Sequence, residues 1–168
     1  NNGNSSFPPE TWYEPRDGKR KIRFIVENPG PGSRHVVTID DIQRRLEQLP
    51  QHFLDELEVI KFSRMTRKRH TFPCYGMHWG CAIYLYPIEE SLTETYRHQP
   101  TPARQIEAAM YGGRWVKEKR LWKLTWNEES IKDYYLNNIL IHEIGHLVDD
   151  RNTNSDDRER WAEWFAIE

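Results

Sequence analysis

Apolar residues recur at helical spacing along the C-terminal third of the chain. They return every three or four positions, at Ile131, Tyr135, Leu136, Ile139, Leu140, Ile144 and Leu147. This period is typical of an amphipathic helix that buries one face. Asn127 is a suitable N-cap, and Glu128 and Glu129 suit the positive end of the helix dipole. The pattern therefore predicts a helix that starts near Asn127.

Shorter elements are predicted upstream of this helix. Alternating or continuous apolar runs predict strands over residues 21–27, 58–62, 81–87 and, as a hairpin or as two consecutive pieces, 115–116 and 121–126. A helix should start at Ile39 and break or kink at Pro50, and a short one is predicted over 101–111. The order of elements predicts an α+β fold with a small mixed sheet packed on helices.

The chain of 168 residues is long enough for one domain with its own core. Residues 1–20 are rich in Asn, Gly, Ser, Pro and charge, and we expect a flexible N-terminal arm there and a single domain over 21–168. The chain begins with Asn1, so we expect a processed form, secreted or otherwise, or an excised domain. The compartment is not assigned.

Charge argues against two classes of partner. Lys and Arg number 24 and Asp and Glu 26, so the net charge of -2 creates no field that attracts nucleic acid or an anionic membrane. No apolar run approaches the ~20 residues of a membrane helix. The one basic run, residues 64–70, is predicted to be a solvated loop, because no aromatic residues interleave its cations. A nucleic-acid patch ranks below that interpretation.

Cys74 and Cys81 are the only cysteines. They could close a loop as a disulfide in an oxidising compartment, or remain two buried thiols. His78 lies between them, but a metal site at this loop would need a further pair of ligands that the sequence does not offer nearby.

The strongest chemical signal is His142-Glu143-Ile144-Gly145-His146, inside the predicted helix. Positions four apart lie on one helix face, so both imidazoles can bind one zinc ion and Glu143 can meet a metal-activated water. The alternative is an amphipathic helix with two solvated histidines. Apolar residues directly before His142 favour the metal site.

A catalytic zinc needs a third protein ligand. No histidine follows His146, and the acidic candidates are Asp149, Asp150, Asp156, Asp157, Glu159, Glu163 and Glu168. The first two lie on the same helix and should point along it rather than back at the metal. After a turn-rich connector at 151–155, a second helix is predicted, with Glu159 and Glu163 one turn apart. One can bind zinc while the other supports an imidazole.

The two motifs together, His142-Glu143-x-x-His146 and Glu159-x-x-Ala162-Glu163, resemble the gluzincin class of zinc metallopeptidases. The resemblance covers about residues 128–168 and is greatest to the anthrax lethal factor catalytic domain, the Pro-Pro endopeptidases and the minigluzincins. It implies a zincin-like fold with an active-site helix and a following glutamate helix. It also implies that Glu159 is the third ligand and Glu163 its supporting neighbour, and that substrate pairs with a rim strand, for which 121–126 is the candidate.

The expected function is that of a zinc-dependent endopeptidase, a metalloprotease with Glu143 as general base, zinc as cofactor, a peptide or protein as substrate and a monomeric state. One departure supports an alternative, a weak or inactive zinc-stabilised peptide- or protein-binding module. Residues 147–168 contain neither Tyr nor His, one of which usually stabilises the oxyanion in such enzymes. Tyr135, Tyr111 and His98 are candidates elsewhere in the chain.

Overall fold

The computed structural model describes residues 8–16, 21–71 and 74–149, without the side chains of residues 70 and 71. In these ranges the chain is a mixed α+β structure, as the pattern predicted. The predicted helix with Glu159 and Glu163 lies outside the described residues. No helix within them is both long and apolar enough to cross a membrane.

The strands of the described ranges are, in chain order, β1 (Arg23–Val26), β2 (Ser33–Arg34), β3 (Val59–Phe62), β4 (Gly76–Trp79), β5 (Ala82–Leu85), β6 (Ile88–Glu89), β7 (Thr93–Tyr96), β8 (Arg114–Glu118) and β9 (Leu121–Thr125). The helices are α1 (Ile39–Glu47), α2 (Arg67–Thr71), α3 (Pro102–Met110), α4 (Glu128–Asp133) and α5 (Leu140–Asp149). A 3₁₀ turn covers Gln51–Leu54, directly after Pro50, and a π-helical segment covers Tyr134–Ile139.

The main sheet has the strand order β1-β3-β5-β4. Its first three strands are parallel, and β4 at the edge is antiparallel to β5. The chain between β1 and β3 carries α1, which crosses the sheet as parallel pairing requires. The side chains of Thr38 and Asp41 cap the first turn of α1 reciprocally, and Ile42 and Leu46 bury its inner face.

Both faces of the main sheet are covered. Alternate residues of β3 and β5 point to opposite faces. Ile60, Phe62, Ile83 and Leu85 join the main core with α1 and the C-terminal helix, whereas Val59, Ala82 and Tyr84 form a second cluster on the outer face. This explains why these strands are continuous apolar runs in the sequence rather than alternating ones.

A second, antiparallel sheet has the order β7-β9-β8. The hairpin predicted over 115–126 is present, but β9 is its central strand, paired through main-chain hydrogen bonds with β7 on one side and β8 on the other. Both edges of residues 121–125 are therefore occupied. The expectation that 121–126 is a rim strand on which a peptide could pair is wrong.

The segment Pro8–Arg16 belongs to the predicted arm, yet it packs across the outer face of the main sheet. The Tyr84 hydroxyl donates to the Thr11 carbonyl at 2.7 Å, and the Tyr13 ring lies 6.5 Å from that of Tyr84. Residues 8–16 are therefore docked on the domain. Residues 1–7 and 17–20 lie outside the described part.

The basic run also departs from the expected solvated loop. Residues 67–71 form α2, and Arg69 is only 3% exposed. Its guanidinium lies 3.5 Å from the Glu10 carboxylate and over the Tyr86 ring. Because its charge is paired and its apolar stem is packed, this arginine serves to attach the Pro8–Arg16 segment.

One continuous helix from Glu128 to Asp149 combines α4, the π-helical segment and α5. Asn127 accepts from the Ser130 amide and caps it, as predicted. Within it, the Leu140 amide donates to the Tyr135 carbonyl five residues earlier, which is the π-helical pattern. We call this element the long helix.

The long helix lies directly against β4. A Cβ atom on Gly76 would lie only 2.5 Å from Ile139 Cγ2 and 3.2 Å from the Tyr84 carbonyl oxygen. Only glycine therefore lets β4 approach the helix this closely.

We expect Gly76→Ala to destabilise the fold by about 1–3 kcal/mol, because the added methyl overpacks this contact. Thermal or denaturant unfolding measures the loss. Combining it with Ile139→Leu, which removes the branched methyl at Cγ2, should restore part of the stability. Ile139→Leu alone is the control. An equal loss with and without Ile139→Leu would contradict the assignment of the clash to Ile139.

Candidate functional site

The two motif histidines converge on one point. His142 and His146 lie one turn apart on α5, with Nε2 atoms 3.0 Å apart and rings nearly perpendicular at 83°. His142 is half-buried and His146 is 5% exposed. The pair is therefore not the solvated one of the alternative interpretation.

The spacing of the pair fits a zinc site. Tetrahedral zinc with Zn–N bonds of about 2.0–2.1 Å holds two nitrogens about 3.3 Å apart, close to the separation of the two Nε2 atoms. Within residues 8–16, 21–71 and 74–149, however, no group of three or more His, Cys, Asp and Glu side chains is arranged to hold a metal. The described residues thus supply the histidine pair and no third ligand arranged with it.

Glu143 lies between the histidines and is 1% exposed. Its Oε1 is 2.7 Å from Nδ1 of His78, which reaches it from β4. The burial of a carboxylate with a specific partner beside two converging imidazoles is typical of a catalytic group and not of a surface helix.

His78 also contacts the histidine pair. Its ring stacks on that of His146, with centroids 4.9 Å apart and planes 18° apart. Sequence reasoning considered His78 only as part of a loop between two cysteines. Gly80 was the sequence signal that could have placed His78 on a strand. Gly80, with a φ of 61°, and Cys81 form the two-residue hairpin loop between β4 and β5.

The structure shows where the three candidate oxyanion-stabilising residues lie. The Tyr135 hydroxyl donates to the Tyr86 carbonyl at 2.6 Å in the core, away from the histidines. Tyr111 is half-buried against the long helix, with its hydroxyl 3.5 Å from the Asn137 carbonyl, and His98 is exposed in the loop after β7. The Tyr135 hydroxyl is thus directed to β5–β6 and the Tyr111 hydroxyl to the middle of the long helix.

Of the remaining site residues predicted from the sequence, the structure describes only Asp149. Glu159 and Glu163 lie outside the described residues, as do Asp150, Asp156, Asp157 and Glu168. Asp149 is fully buried at the last turn of α5.

A buried polar network lies next to the start of the long helix. The Glu94 carboxylate accepts from the Tyr75 hydroxyl at 2.8 Å, the Tyr96 hydroxyl at 3.2 Å and Trp126 Nε1 at 2.9 Å. Burial raises the pKa of Glu94, and these three donors oppose that shift. Since Tyr75 precedes β4 and Trp126 precedes the N-cap of the long helix, the Glu94 carboxylate joins β7 to both of these segments.

The two cysteines are thiols and are not joined. Cys74 Sγ donates to the Gly76 carbonyl at 3.0 Å, and Cys81 Sγ donates to the Tyr13 carbonyl at 3.6 Å. Burial raises the pKa of Cys74 to about 11. The structure therefore supports the buried thiols and not the disulfide.

We expect Cys74 to react slowly with thiol reagents at neutral pH, because the nucleophilic thiolate forms appreciably only near its pKa of about 11. The rate should rise about tenfold per pH unit up to that range. Labelling of Cys81→Ser measures Cys74 alone. Denaturation without a reductant should release two thiols per wild-type chain, and release of none would contradict the free thiols.

The chain matches no protein-family model, and comparisons with curated proteins and with solved structures found no similar chain. A functional assignment therefore depends on the residues and geometry described above.

Proposed function

We propose that this chain is a zinc-dependent endopeptidase that hydrolyses peptide bonds with Glu143 as general base. The observation that carries the proposal is the convergence of His142 Nε2 and His146 Nε2 within 3.0 Å, with the buried Glu143 beside them. Two imidazoles one helical turn apart can supply two ligands of a hydrolytic zinc site, and a carboxylate beside them can serve as its general base.

His142 and His146 would hold the metal, and the gluzincin resemblance supplies Glu159 as third ligand with Glu163 beside it. Zinc bound there would lower the pKa of a coordinated water towards about 7 and polarise the substrate carbonyl. The histidines contribute neutral nitrogen donors on a rigid helix, which fixes the separation of the two ligands.

Glu143 moves the proton. His78 occupies Oε1, and the carboxylate offers its second oxygen, Oε2, to accept a proton from the attacking water. The new bond joins the water oxygen to the carbonyl carbon, the C–N bond breaks, and Oε2 returns the proton to the leaving amine. Burial of the carboxylate keeps bulk water from competing for these transfers.

The strand β4 is the element that would present substrate, in place of residues 121–126. Among the described residues β4 pairs with β5 alone, so its outer edge carries main-chain groups to which an extended peptide can bond. His78 on β4 contacts the site, so a peptide on this edge would pass beside Glu143. Trp79, 41% exposed at the end of the strand, offers a ring for a substrate side chain.

Glu143→Gln should lower the rate of peptide hydrolysis at least about 100-fold, because the amide keeps the shape of the side chain but cannot accept the proton. Zinc content should stay at one ion per chain. Digestion of a broad peptide library, with and without a chelator, and metal analysis of both proteins give the two readouts. Full activity in Glu143→Gln would exclude this residue as the base.

The matched control is His146→Ala, which should lose zinc and activity together. If the wild-type chain binds zinc through the histidines but cleaves no peptide, the endopeptidase assignment fails. The chain would then be the zinc-stabilised binding module of the alternative, and peptide binding without turnover would identify it.

The third ligand has its own test. Glu159→Ala should lower zinc affinity far more than Glu163→Ala, because a ligand is lost in the first case and a supporting hydrogen bond in the second. Zinc titration of both variants against a competing chelator measures the difference. The reverse order would exchange the two assignments, and no loss in either variant would point to a different acid.

A further inference from the structure

We infer that His78 is a positioning residue, which orients the Glu143 carboxylate by donating a hydrogen bond from Nδ1 to Oε1. The inference rests on the proposed function, in which Glu143 is the base. The 2.7 Å contact joins residues 65 positions apart in the sequence, from two different elements. It is thus a tertiary contact and not a by-product of the helix.

The contact fixes which nitrogen of His78 carries the proton. To act as the base of the proposed function Glu143 must be an ionised carboxylate, which accepts and cannot donate, so in this role Nδ1 is the donor. The proton is then held on Nδ1 by the bond itself, as the partner of one ring nitrogen sets the state of the other. The carboxylate in turn is held at Oε1, which leaves Oε2 as the oxygen that turns to the water.

Packing restrains the His78 ring. One face stacks on His146, and 17% of the side chain is exposed. Its strand is held at this distance by the contact between Gly76, two residues earlier on the same face of β4, and Ile139 of the long helix. The donor is therefore placed before substrate arrives, which is the requirement for pre-organisation of a base.

Three substitutions separate the hydrogen bond from the ring. His78→Asn places its amide nitrogen near the position of Nδ1 and keeps a donor for Glu143. His78→Gln extends its amide towards the position of Nε2, and His78→Phe keeps the stack on His146 without any donor. All three are compared with wild type for zinc content and thermal unfolding, so that loss of fold is seen separately.

We expect kcat for a cleaved peptide to fall about 10–100-fold in His78→Phe and His78→Gln, the range typical of lost supporting hydrogen bonds around a metal site. KM and zinc content should change little, and His78→Asn should remain within about threefold of wild type. Equal losses in His78→Asn and His78→Phe, or wild-type kcat in His78→Phe, would overturn the inference. If one variant fails to fold, the remaining pair still makes the comparison.

A second measurement does not use activity. Nitrogen NMR of the zinc-free chain, labelled at histidine, should show His78 protonated at Nδ1 and not at Nε2 in its neutral form. Glu143→Ala should remove this preference, with Leu121→Ala as the distant control. Protonation of His78 at Nε2 in the wild-type chain would refute the hydrogen bond. The readout stands even if the wild-type chain cleaves no peptide, so it is separate from failure of the proposed function.

Discussion

The site depends on the direct packing of β4 against the long helix. Two contacts define it, Gly76 with Ile139 and His78 with Glu143. The strand residues are two apart, about 6.8 Å along an antiparallel strand, and the helix residues are four apart, about 6 Å along an α-helix. Because the two spacings nearly match, a strand running in the direction of the helix can make both contacts at once. The close approach of Gly76 to Ile139 therefore places His78 within hydrogen-bonding distance of Glu143.

The π-helical segment divides the long helix into two halves with different surroundings. Its Tyr134 hydroxyl donates to Glu107 at 2.7 Å and lies near the Arg104 guanidinium, whereas α5 beyond it packs on β4 and β5. Since a π turn holds an extra residue, it shifts the faces of the helix on either side relative to one another. The first half can thus bond to α3 while the second half presents His142 and His146 on one side.

The sequence predicted regular elements well where local signals were strong. The alternating and continuous apolar runs located β1, β3, β5 and the β8–β9 hairpin, and Asn127 marked the start of the long helix. It did not indicate β4 or β7, because each strand has only four residues and shows no clear alternation of apolar and polar positions. For a related reason, the sequence pattern did not predict the π-helical segment. The apolar spacing stays close to 3.6 through this segment, so the pattern did not indicate that the Tyr135 hydroxyl bonds to the Tyr86 carbonyl and is not an oxyanion helper.

The sequence pattern could not predict the long-range contacts of the site. The motif placed His142, Glu143 and His146 together because a single helix sets their spacing, and the Nε2 distance of 3.0 Å agrees with that. His78 reached the site through the pairing of β4 with β5 and through Gly76, and neither depends on residues near position 143. The proposed role of His78 would limit the proposed mechanism. A neutral imidazole that donates from Nδ1 has no proton on Nε2, so His78 in this state cannot also donate to the oxyanion. In the proposed mechanism that charge would be stabilised by zinc and by a different donor, for which the main-chain amides at the outer edge of β4 have the right chemistry.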